Sequence, residues 1–120
     1  MEDSIVAAAH DLAGRGNALR LFIDATGVLH GGGVMPEKSW RQLDPRDLAK
    51  AFAINAIGTA LLMTHFLPLL PTRGKSVFAT LSAKVGRIGD NHFGGWYSYR
   101  ASKAALNELV RTVAVELKRR

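Results

Sequence analysis

Tyr97-Ser98-Tyr99-Arg100-Ala101-Ser102-Lys103, running on into Ala104-Ala105-Leu106-Asn107, is the stretch that decides how the rest of the chain is read. Tyr99 and Lys103 stand four residues apart, so a helix here puts both side chains on one face, one turn from each other. A free phenol ionises near pH ~10. An ammonium a few Å away favours the phenolate. Such a pair is suited to pass a proton to or from a carbonyl or alcohol oxygen. The competing reading is an ordinary amphipathic helix whose lysine snorkels to solvent. Tyr99, Lys103, Leu106, Val110, Val113 and Leu117 follow one another at alternating steps of four and three, which makes one helical stripe. Its four aliphatic members are expected to face a core, which draws the tyrosine and the lysine into partial burial. A buried lysine is costly unless it is paired or used.

Working upstream, Gly74 to Ser82 reads as a strand ending in a small polar residue, with a glycine-rich loop from Ala83 to Tyr97 between it and the last helix. Ligands of open parallel sheets bind beyond the carboxyl ends of the strands, so Ser82 stands where a site residue belongs; a serine capping a loop would look the same. Asp44-Pro45-Arg46-Asp47 is a helix start, with Asp44 as N-cap, Pro45 in the first turn and Asp47 at the positive end. This helix is expected to run to about Leu67, where Pro68 and Pro71 stop it. Leu48, Phe52, Asn55, Thr59, Leu62 and Phe66 form one stripe on it, and Ala51, Ile54, Gly58, Leu61 and His65 a second. Two apolar stripes imply burial on more than one side. Asn55 then lies on a buried face, and a buried amide needs partners. Either it bonds a neighbouring loop, or it holds a bulge or a water near a site.

Further upstream, Leu19 to Ala25 reads as a short buried strand that ends at Thr26-Gly27. A loop with Gly31, Gly32 and Gly33 follows. Ser4 to Gly14 reads as a helix with Ser4 as its cap, stopped at Gly14-Arg15-Gly16-Asn17. The order helix, strand, helix, strand, helix implies an α/β fold with parallel strands joined by crossovers. Two strands are too few for a stable sheet of this kind, so its remaining strands are expected from elsewhere.

Length and composition narrow the classes. A chain of 120 residues, 48% hydrophobic, fits one small globular domain. It has no cysteine, hence neither disulfides nor a thiol nucleophile. No apolar run near the length of a membrane span is expected, and Met1-Glu2-Asp3-Ser4 lacks a signal-peptide layout, so a cytoplasmic setting is the expectation. The net charge is +6, and Arg100, Lys103, Arg111, Lys118, Arg119 and Arg120 crowd the last 21 positions. Cations at the end of a final helix suit its dipole, and no nucleic-acid motif accompanies them. His10, His30, His65 and His92 are scattered without metal spacing.

Four features line up in order: Asp24-Ala25-Thr26-Gly27 after a strand, Asn55 in a buried helix, Ser82 after the next strand, and Tyr99 with Lys103 opening a helix. Together they resemble the short-chain dehydrogenase/reductase family over nearly the whole chain. Asn55-Ala56-Ile57-Gly58 and the run Gly94 to Lys103 resemble the branch holding carbonyl reductases and C-factor-like proteins. The resemblance implies a partial Rossmann-type doubly wound sheet, with residues 1–120 as one partial domain. It also implies hydride transfer between NAD(P)(H), NADP favoured and no metal, and a small carbonyl or alcohol substrate. Tyr99 would be the general acid/base. Lys103 would favour the phenolate and bond the nicotinamide ribose. Ser82 would orient the substrate oxygen, and Asn55 would hold a water in a proton relay. Ala25 and Gly27 would line the cofactor together with Tyr99 and Lys103. The helices Asp44–Leu67 and Tyr99–Lys118 would form a homo-oligomer interface, which is also the basis of an alternative role as a non-catalytic interaction or signalling protein.

The sequence departs from the family in three places. The family's Asn-Asn-Ala-Gly stands here as Asp24-Ala25-Thr26-Gly27. Ser82 lies four residues before Gly86, where many members have three. The glycine-rich cofactor turn and its βαβ unit are absent from these residues. The expectation is the middle of such an enzyme, with little turnover from this chain alone.

Overall fold

The computed structural model describes residues 1–16, 18–31 and 35–119. Asn17 of the helix stop, Gly32, Gly33 and Val34 of the glycine loop, and Arg120 of the basic end lie outside the described residues. The chain divides into two compact units, Met1–Thr26 with Gly58–Leu81 and Gly27–Ile57 with Ser82–Arg120.

The first unit is built on a two-stranded parallel sheet. Helix α1 spans Glu2–Gly14 and strand β1 spans Leu21–Asp24. The sequence reading starts α1 at Ser4, and that is corrected. Met1 is the N-cap, Glu2 and Asp3 sit in the first turn, and the Ser4 hydroxyl donates to the Met1 carbonyl at 2.8 Å. Acidic residues suit the positive end of a helix, which lets it begin two residues earlier. Strand β2, Val77–Thr80, pairs with β1 from Leu21 opposite Val77 to Asp24 opposite Thr80. Both strands are shorter than the apolar runs suggest. The ladder extends by single bonds at each end, Val77 N–H to the Arg20 carbonyl at 2.8 Å and Leu81 N–H to the Asp24 carbonyl at 3.0 Å.

Alternation sorts the strand side chains onto two faces. Phe22 stacks on Phe78 with centroids 4.8 Å apart and meets Phe66 at 4.6 Å, which closes one face. On the other face Leu21 and Ile23 are 58% and 59% exposed, with Val77 and Leu81 also open. The buried strand expected at Leu19 to Ala25 is therefore covered on one side.

Asp24 ends β1 on the closed face and is 2% exposed. Its Oδ1 accepts from the Thr26 N–H at 2.9 Å and the Thr26 hydroxyl at 2.6 Å. Its Oδ2 accepts from the Thr59 hydroxyl at 2.5 Å and the Thr80 hydroxyl at 2.9 Å. Burial pushes the carboxyl pKa up, but these hydrogen bonds outweigh it and hold it below the ordinary value.

The central helix is α2, Pro45–Phe52, then a π-helical segment Ala53–Ile57, then α3, Gly58–Phe66. Asp44 caps it as the sequence reading expects, its Oδ1 accepting from the Arg46 N–H at 2.8 Å. Hydrogen bonds from the Arg46 side chain and amide hold the Asp44 carboxyl down to about 2. Pro68 falls in a closing 3-10 turn, Leu67–Leu69. Pro45–Leu69 is long and apolar enough to cross a membrane by length and composition, which corrects the expectation that no such run exists. Its buried residues are Ala51, Asn55, Ala56, Gly58, Thr59, Met63 and Phe66; five of them come from the two expected stripes, and Ala56 and Met63 lie on neither. The second unit contains α2, the π segment, 3-10 turns at Trp40–Gln42, Lys84–Gly86 and Ile88–Asp90, and the long helix α4, Tyr97–Leu117. Within α4 the buried residues are Ser98, Ser102, Lys103 and Leu106. Leu117, expected on the buried stripe, is 40% exposed.

Candidate functional site

The first two turns of α4 carry the candidate chemistry. Tyr99 and Lys103 sit one turn apart, as the spacing requires, with the Lys103 Nζ 5.9 Å from the Tyr99 ring centroid. Tyr99 is half-buried, and Lys103 is 4% exposed, so its ammonium is taken out of water beside the phenol. Gly27 explains how a lysine fits there. A Cβ on Gly27 would lie 3.2 Å from Lys103 Nζ and 3.5 Å from Asn55 Oδ1. A hydrogen in that position leaves the ammonium room.

Asn55 is 1% exposed and satisfied by one loop residue and one helix residue. Its Oδ1 accepts from the Val28 N–H at 2.7 Å, and its Nδ2 donates to the Val28 carbonyl at 2.9 Å. The second Nδ2 proton goes to the Ser102 hydroxyl at 3.0 Å, which in turn donates to the Tyr99 carbonyl at 3.0 Å. Of the two roles the sequence leaves open for Asn55, its bonds fit the loop-binding one, and it also lies within the π segment. A π turn leaves backbone carbonyls turned away from the regular ladder, a feature common at functional sites.

Ser82 is exposed and lies past the end of β2, and its hydroxyl donates to Asn107 Oδ1 at 2.7 Å. Among the described residues, the hydrogen bonds that join Asn55, Ser102 and the Tyr99 backbone do not include it. Gly86 fixes the register of this loop on α4, because a Cβ there would fall 2.8 Å from Asn107 Nδ2 and 3.1 Å from the Lys103 backbone carbon. Ala25 follows β1 in the first unit and is exposed.

Three residues of this neighbourhood are not singled out by sequence reasoning. Ser102 is fully buried and bridges Asn55 to the Tyr99 turn. Ser98 and Ser102 stand four apart on a stripe beside Tyr99 and Lys103, and that spacing is the signal available for both. Glu37 is 3% exposed, and its carboxylate meets Ser98 at the start of α4. Its signal is faint: it is the one acidic residue between Asp24 and Asp44.

A family described as enoyl-(acyl carrier protein) reductase matches residues 2–120. C-signal of Myxococcus xanthus is 37% identical over 76 residues, which is 63% of this chain and 46% of that protein. A 1-hydroxy-2-glutathionyl-2-methyl-3-butene dehydrogenase of Rhodococcus sp. (strain AD45) is 36% identical over 106 residues, 88% of this chain and 43% of the relative. Among solved structures, one described as a short-chain dehydrogenase of Escherichia coli CFT073 complexed with NADPH is 23% identical with a TM-score of 0.83, covering 100% of this chain and 47% of that one. The chain spans less than half the length of these relatives. It belongs to the short-chain dehydrogenase/reductase family.

Proposed function

We propose that this chain carries the proton-transfer part of an NAD(P)(H)-dependent oxidoreductase acting on a small carbonyl or alcohol, with Tyr99 as general acid/base. The supporting observation is Lys103, a buried ammonium beside a phenol, admitted by a glycine that a methyl group would fill. That cradle also fits a nicotinamide cofactor, which Gly27, Tyr99 and Lys103 would hold. When bound, such a cofactor supplies or accepts a hydride. In reduction the Tyr99 phenol gives its proton to the substrate oxygen, and in oxidation the phenolate takes the alcohol proton. Lys103 sets a cation beside the ring that exchanges the proton. Both Asn55 Nδ2 protons are spent on Val28 and Ser102, so a relay water would rest on the remaining oxygen capacity of Asn55, at Oδ1 or its backbone carbonyl. Ser82 can donate to a substrate oxygen only by giving up Asn107, or with the Asn107 amide turned so that its Nδ2 donates to Ser82.

The residues correspond, on this reading, to the central segment of a Rossmann-type doubly wound sheet whose pyrophosphate-binding turn lies outside them, with NADP favoured over NAD. The open apolar side chains Ile54 and Ile57 on the central helix and Val115 and Leu117 on α4 support self-association through these helices.

A fluorescence titration of the chain with NADH and NADPH, followed by reduction of a dicarbonyl, tests the reading. The isolated chain is expected to turn over little or nothing, and Tyr99→Phe to abolish whatever turnover it has. Turnover that survives Tyr99→Phe would overturn the assignment.

A further inference from the structure

Helix α4 begins without a cap of its own. Its N-cap position is Trp96, which supplies no side-chain bond and adopts φ +54°, the left-handed region that non-glycine residues seldom enter. The first amides of a helix need partners. Here they come from a different segment. The Glu37 backbone carbonyl accepts from the Trp96 N–H at 2.6 Å, its Oε1 accepts from the Ser98 N–H at 3.3 Å, and its Oε2 accepts from the Ser98 hydroxyl. Gly95 lets the two segments approach, since a Cβ there would meet the Glu37 carbonyl at 3.2 Å. Glu37 thus binds Trp96 and Ser98, the two residues on either side of Tyr97, and Ser98 directly precedes Tyr99. Trp96, held by the same residue, sets its ring edge-on to the Tyr99 ring at 6.4 Å and 82°.

We infer that Glu37 is a positioning residue for Tyr99. Its buried carboxylate closes the start of α4 from outside that helix and so fixes the turn on which the phenol is mounted. The inference rests on the reading of Tyr99 as the proton donor and acceptor. Anionic side chains are favoured at helix N-termini, which suits a carboxylate rather than an amide in this place. Misplacement of a reacting group by about 1 Å can cost about a hundredfold in rate, so a loosened first turn is read in kcat.

The test compares the full chain with Glu37→Ala and Glu37→Gln. With NADPH and a dicarbonyl, Glu37→Ala is expected to lower kcat by about tenfold or more with KM within about twofold, and Glu37→Gln to fall between. An unchanged kcat in Glu37→Ala, or a loss confined to KM, overturns the inference. A second readout does not depend on turnover. Amide exchange at Ser98 is expected to quicken at least about tenfold in Glu37→Ala, with Leu106 unchanged, and the ring resonance of carbon-13-labelled Tyr99 to move. If the wild-type chain turns over too little to measure, this readout alone judges Glu37, while turnover that survives Tyr99→Phe would count against the oxidoreductase reading and not against Glu37. An unchanged Ser98 and Tyr99, or equal acceleration at Leu106, counts against positioning.

Discussion

Replacing Asp24 by asparagine sets two opposing effects against each other. Burial of a charge is unfavourable, so neutralising it could stabilise the fold. The carboxyl nevertheless titrates below its ordinary value, which means its hydrogen bonds outweigh burial. Removing the charge should therefore destabilise. Four donors converge on the two carboxylate oxygens, from the Thr26 amide and the Thr26, Thr59 and Thr80 hydroxyls. An asparagine has one oxygen, so two of the four lose their acceptor, although hydroxyls can turn to accept from the new amide. Hydrogen bonds to charged groups are worth about 1.5–3 kcal/mol each, and partial rescue by rotation brings the expected loss to about 2–4 kcal/mol.

The assay is urea unfolding of both proteins at pH 7 and at pH 3 or below. The folded pKa is lowered, so the stabilisation from Asp24 is present above the unfolded value of 3.8 and is lost as pH falls through the folded pKa. The gap between wild type and Asp24→Asn should be full at pH 7 and shrink in acid. A gap that stays constant across this range, or is below about 0.5 kcal/mol at pH 7, would refute the argument.

Two further substitutions bear on the site. Gly86→Ala puts a methyl 2.8 Å from Asn107 Nδ2 and 3.1 Å from the α4 backbone, which cannot move aside, and about 1–3 kcal/mol of stability should be lost in thermal melting. Gly27→Ala needs a shift of only a few tenths of an ångström from Lys103 Nζ at 3.2 Å, and restricting the unfolded chain offsets it by about 0.4–1 kcal/mol. Its melting temperature should hardly change while NADPH titrates more weakly. Unchanged cofactor binding would detach Gly27 from the site.

The legible part of this molecule is the part fixed by local pattern. The Tyr99 to Lys103 spacing, the Asp44 cap and the order of helices and strands all follow from periodicity and end signals, and the α/β fold with parallel strands follows from that order. Asn55 was readable as a buried amide, yet its partners Val28 and Ser102 lie 27 and 47 positions away, and no local signal points to them. A bulge at Asn55 is one of the readings the sequence leaves open, but the bounds of the π segment are not legible, because an extra residue in one turn alters neither propensity nor composition. Both strands were overestimated in length, since an apolar run shows where a strand can lie but the ladder partner decides where it ends. Glu37 carries only a faint signal, because its hydrogen bonds to Trp96 and Ser98 join segments far apart in the sequence.

The half-covered sheet of the first unit has a practical consequence. Among the described residues the strand pair keeps an apolar side open to water, with Leu21, Ile23, Val77 and Leu81 on it, and such a face is a template for another copy. The net charge of +6 keeps copies apart as long as it is felt. Salt shortens the reach of that repulsion to about 8 Å at physiological strength and about 3 Å at 1 M. Colloidal behaviour of the chain is therefore governed by ionic strength, and dilute buffer rather than high salt is the condition that keeps it dispersed.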